Sequence, residues 1–217
     1  MLKPVCQALS LSALLLTGAL TAAADEPIKP VFKMETTALD DDNCAVYSGD
    51  YGAPEATMEV KSNCTGPDGW TVKLTEYAKH QAIGFQYKDT AATEDMKVLW
   101  FGQRGKFADP EWVYKDGKLI SVILQYIENG EMSGQAFNRY VVALKHGSTP
   151  SACLIARVEE MKIRGGPAAA AYIAKTFPER FDCAASEPLE FTSENSQGGY
   201  YSAVRKAAKE AGLLTDD

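Results

Sequence analysis

The sequence predicts an α+β fold: an antiparallel β-sheet meander of about six to eight strands with one or two C-terminal helices, braced by two disulfides. Three observations predict it. Apolar residues recur at every second position through the middle of the chain, the spacing that puts one set of side chains on one face of a strand. An alanine-rich run with helix start and stop signals follows those strands. Four cysteines, an even set, remain once an N-terminal leader is discounted.

The leader comes first. Lys3 supplies a basic start, residues 8–20 an apolar stretch, and Thr21, Ala22, Ala23 and Ala24 the small side chains of a cleavage site, so residues 1–24 read as a secretory signal peptide. Cys6 precedes the apolar stretch and is expected to leave with it. Removal leaves 193 residues and takes Lys3 but no acid, moving the formal charge from −7 to −8. That length suits one domain, residues 38–185, with appendages at both ends. An acidic surface disfavours phosphate backbones and anionic lipid, so no nucleic-acid partner is expected. No later apolar run approaches the ~20 residues a helical span requires, so the mature chain is expected to carry no membrane span and to be periplasmic or secreted.

Residues 25–37 hold two prolines and mixed charge, and read as an extended lead-in; the fold is expected to begin near Ala38. Trp70, Val72 and Leu74, then Ile83, Phe85 and Tyr87, alternate as two half-buried strands. The run MKVLWF at 96–101 is read as a third. Residues 111–115 and 118–128 are β-rich and flank Asp116 and Gly117, a pair that readily takes the positive φ of a two-residue hairpin turn. Two further strands, 136–145 and 152–158, lie on either side of a glycine- and proline-bearing turn. Gly165 and Gly166 precede Pro167, which leads into a helix over 168–177 that Pro178 ends; Tyr172, Ile173 and Phe177 share one of its faces. Residues 186–199 read as a polar linker and 200–213 as a second short helix. Its thin apolar face of Tyr201, Val204, Ala208 and Ala211 is expected to dock on the sheet or fray.

Cys44, Cys64, Cys153 and Cys183 permit three pairings. Cys44 with Cys64 and Cys153 with Cys183 is favoured because each then ties a local stretch, and in the chain-entropy view each would contribute roughly 3 kcal/mol. A zinc reading lacks any CxxC half-site and has only two histidines to draw on.

Cys44, the Cys64-Thr65-Gly66-Pro67 stretch, Ile123-Leu124-Gln125-Tyr126, Val141-Val142-Ala143-Leu144, the run from Ala152 to Val158 and the Phe181-Asp182-Cys183 ending resemble a group of uncharacterised secreted proteins of alphaproteobacteria. The resemblance covers residues 44–183. It implies a periplasmic location and a small α+β domain, and it carries no reaction with it.

Catalytic chemistry finds few residues to use. The chain has no G-x-S-x-G elbow and no S-x-x-K pair, and His80 and His146 both fall at turns between strands. Asp40, Asp41, Asp42 and Asn43 read as a solvated acidic turn, since consecutive acids do not converge on one cation as the calcium loop does. Glu159 and Glu160 read as an exposed strand end, and Trp70, Trp100 and Trp112 as core. The most suggestive segment is the loop 102–110, where Arg104 and Lys106 bring positive charge to an acidic chain and Phe107 offers an apolar anchor; it is the candidate recognition loop. No catalytic residue, cofactor or metal site is assigned. The expected function is a non-catalytic binding, inhibitor or accessory module for an envelope protein or cell-wall ligand. The alternative is a periplasmic hydrolase with an acidic catalytic pair.

Overall fold

The computed structural model of the chain describes residues 29–49, 59–77, 80–92, 96–97, 104–130, 134–159 and 165–191, with single positions at 204, 206 and 209. The expected signal peptide, Trp100, Glu160, most of the expected linker and most of the expected final helix lie outside the described residues. Among the described residues twelve strands form two sheets. The first, of five strands, is a meander in chain order: β2 (Cys44–Ser48), β3 (Glu59–Thr65), β4 (Trp70–Tyr77), β5 (His80–Tyr87) and β6 (Met96–Lys97). The second has seven, in the order β1 (Phe32–Thr36), β8 (Glu111–Lys115), β9 (Lys118–Gly130), β10 (Gly134–Lys145), β11 (Ser151–Glu159) and β12 (Leu189–Phe191). Its remaining member, β7 (Arg104–Phe107), continues the line of β8 along the same edge of β9. Every pairing is antiparallel except β11 with β12, so this sheet is mixed.

In place of the single expected meander there are two sheets, one a meander and one mixed, and the physical reason lies in β9 and β10. Val122 and Leu124 point to the five-stranded sheet while Ile123 points to the helix α1 (Gly166–Thr176), and Tyr140, Val141, Val142 and Ala143 alternate likewise. Strands covered on both faces are apolar throughout. Two bulges shape the seven-stranded sheet. Val113 pairs with Ser121 and Tyr114 with Leu119, leaving Ile120 extra; Val141 pairs with Ala156 and Val142 with Leu154, leaving Ile155 extra. Each inserted residue adds one apolar side chain to the helix side and bends its strand.

The hairpin turn forms as expected, with Asp116 and Gly117 both at positive φ. Helix α1 is preceded by Gly165 as N-cap, has Pro167 in its first turn and is followed by Phe177 as C-cap. Ala169, Ala170, Ile173, Ala174 and Phe177 are buried against the sheet, and Tyr172 sits half-buried with its ring edge-on to Phe177. Ser121 donates its hydroxyl to the Ala174 carbonyl across that contact. Both expected disulfides form: Cys44 faces Cys64 across β2 and β3, and Cys153 on β11 holds Cys183 beyond α1.

The lead-in differs from expectation. Residues 32–36 make edge strand β1, held to β8 by backbone bonds, so the fold begins before Ala38. Within the expected linker, Leu189 and Phe191 bury their side chains as β12. Helical backbone at Val204, Lys206 and Lys209 fits the second helix, and Val204 is buried in the cluster beside α1.

Candidate functional site

The expected recognition loop is largely strand. Residues 104–107 pair with Tyr126 to Asn129 of β9, and the Phe107 N–H donates to the Gln81 side chain of the other sheet. Phe107 is 5% exposed, its ring packed edge-on against Tyr126 with centroids 5.0 Å apart and close to Tyr140. It is core, not a surface anchor. Gly105 makes this possible: a Cβ there would lie 2.5 Å from the Tyr126 ring. Lys106 alone of the two cations is described at side-chain level, and it is exposed.

The acidic turn has a structural use. Asp40 accepts from the Asn43 N–H through its carboxylate and from the Cys44 N–H through its carbonyl, while the Asn43 amide donates to the carbonyls of Ala38 and Thr65. Those bonds deliver Cys44 opposite Cys64. Trp70 and Trp112 are both core, and the Trp112 indole N–H donates to Thr37. Among the described residues no three metal-ligating side chains cluster.

A pocket of about 300 Å³ opens at the other end of the seven-stranded sheet. It lies where the start of β9 (Lys118, Ile120), the end of β10 (Leu144, Lys145), the following turn (His146, Thr149) and the chain beyond α1 (Pro178, Glu179) meet. Its polar groups are held in place from below. The Lys145 ammonium donates to the carbonyls of Pro178 and Phe181, the latter at 2.8 Å, and so caps the end of α1's exit segment. Burial pushes Lys145 below its ordinary value; Asp182 and Glu179 pull the other way and Lys118 adds to the depression. His146 bonds the Leu119 carbonyl through Nε2 at 2.6 Å, so that nitrogen carries the hydrogen, and its ring stands edge-on to Trp70 and Tyr87. Glu179, the pocket's one carboxylate, pairs with Lys115. Lys118 is exposed, and Lys145 has a third donor beyond the two bonds named. The arrangement can receive an anion.

Sequence reasoning did not find this pocket, because its residues come from three segments that only the fold assembles. His146 lies in a turn, as expected, and is exposed, yet its ring is fixed. The side chain of His80 lies outside the described residues. A pair of carboxylates does approach at the β11–β12 edge: burial raises Glu190, the nearby Arg157 guanidinium at 3.9 Å opposes that, and Glu159 adds to it. No helix among the described residues is long and apolar enough to cross a membrane. Compared with models of protein families, with curated proteins and with solved structures, the chain matches none.

Proposed function

We propose that the protein is an exported, periplasmic, non-catalytic binding module, and that it recognises a carboxylate-bearing segment of an envelope protein in the pocket between Lys118, Lys145 and His146. The observation that carries this reading is the convergence of those cationic and titratable groups in a chain whose formal charge is −7. Two of the three are braced: Lys145 by two backbone carbonyls and His146 by one. A side chain already held in its binding geometry loses little entropy on binding, and partners add charge-assisted hydrogen bonds at low cost. Both disulfides suit an oxidising compartment. The resemblance to secreted alphaproteobacterial proteins points the same way. The test is retention of a partner from periplasmic extract by the intact chain, by Lys118→Glu and by His146→Ala. A partner held by the first and lost by both variants supports the pocket; equal retention by all three removes it.

A second reading, a hydrolase using an acid pair, has one observation in its favour, the raised Glu190 beside Glu159. A carboxyl raised above its ordinary range is suited to general-acid chemistry. Turnover of a glycosidic or ester substrate that survives Glu190→Gln would dispose of this pair.

A further inference from the structure

Among the described residues, strand β1 ends the seven-stranded sheet with one row of backbone groups open. The Asp116 N–H donates to the Val31 carbonyl and the Thr37 N–H to the Pro110 carbonyl, so odd-numbered positions of β1 face β8. By antiparallel alternation the N–H and C=O groups of Phe32, Met34 and Thr36 point away from the sheet. Apolar side chains accompany them: Val31 is 69% exposed and Met34 38%. Such an edge is a template for another strand unless something blocks it, and charged residues are the usual block. Here the charges are Lys33 and Glu35, already paired with each other on one face of β1.

The geometry points to a second copy of this chain as the occupant of that edge, β1 pairing antiparallel with its counterpart about a twofold axis at Met34. The charges select both partner and register. Centred on Met34, Lys33 of each copy falls opposite Glu35 of the other, in the closely spaced non-hydrogen-bonded position, and the open groups of Phe32, Met34 and Thr36 satisfy their counterparts. Centring one residue earlier sets lysine against lysine. Centring one residue later sets glutamate against glutamate. A strand of unrelated sequence meets no such complement, which is why a self-association is favoured over strand donation by another protein. The contact is isologous and closes on itself, so it yields a dimer with one continuous sheet and no filament.

Sedimentation of the disulfide-intact exported chain over a range of concentrations tests this. A reversible dimer is expected. Lys33→Glu should weaken it about tenfold by facing glutamate with glutamate, and the exchange Lys33→Glu with Glu35→Lys should restore it. Met34→Pro should abolish it, because the N–H it removes is one that points outward and serves no bond within the sheet. Near-ultraviolet circular dichroism confirms that each variant is folded. A chain that stays monomeric throughout, a dimer indifferent to Lys33→Glu and Met34→Pro, or a charge exchange that fails to restore association would each overturn the proposal.

Discussion

The two faces of the seven-stranded sheet are packed by different means. Towards α1 the contacts are mostly small and aliphatic: Ala143, Ala156, Ala169, Ala170 and Ala174 with Val141, Ile155 and Ile173, joined by the rings of Phe177, Phe181 and Phe191. Towards the five-stranded sheet they are large and aromatic: Trp70, Phe85, Phe107, Trp112, Tyr126 and Tyr140. Two sheets stack about 10 Å apart, and only long side chains interdigitating from both fill that gap. A helix comes closer where alanines line it, and its attachment then relies on bonds besides burial: the Cys153–Cys183 bridge, the Ser121 hydroxyl and the Lys145 ammonium. The aromatic layer holds the domain together, whereas the helix is fastened to it.

The largest expected effect follows from the aromatic layer. Trp112→Ala removes a fully buried ring that packs on Gly66 and Phe85 and loses its bond to Thr37, and should cost about 3–5 kcal/mol, read as a lower midpoint in urea unfolding. Next is the fastening. Cys153→Ser with Cys183→Ser should cost roughly 3 kcal/mol, and amide exchange should quicken in α1 more than in β4 and β5. If exchange rises equally in both layers, the division between them is wrong. The smallest effect lies at the border, where β12 carries Glu190 beside Arg157, on the face opposite Leu189 and Phe191. Because burial raises its pKa, its charged form is disfavoured in the folded chain: the group's favourable contribution is full below its ordinary pKa and is lost as pH rises through the raised one. Glu190→Gln should therefore raise the melting temperature slightly at pH 7 and leave it little changed near pH 3.5, as differential scanning calorimetry would show.

Legibility in the sequence tracks these layers. Strands β4 and β5 turn every second large apolar residue to the other sheet, and Trp70, Val72, Leu74, Ile83 and Phe85 announce that directly. The hairpin was readable from Asp116 and Gly117, and the helix from Gly165, Pro167 and the alanines. The cysteine pairing followed from local spacing. Less visible were elements whose stability comes from partners. In β3 the inward position between Val60 and Cys64 is Ser62, which breaks the apolar alternation. Strand β1 alternates Phe32 and Met34 with charges but is too short and too near a proline to stand out, and β12 has three residues. Residues 104–107 were read as a loop because Gly105 looks like a turn former, when its absent side chain instead makes room for Tyr126. The pocket could not be read at all, since Lys118, Lys145 and Glu179 are brought together by the hairpin and the exit from α1.

Strand β1 is made early and finds its place late. Its neighbour β8 lies some eighty residues downstream, so a nascent chain must hold 32–36 unpaired until 111–115 has been synthesised, while β2 to β5 can zip together in order as they emerge. The five-stranded sheet can thereby take shape before the second half, and its aromatic side is then uncovered until that half arrives. That interval, before the halves meet, is when a holding chaperone would matter most to this chain.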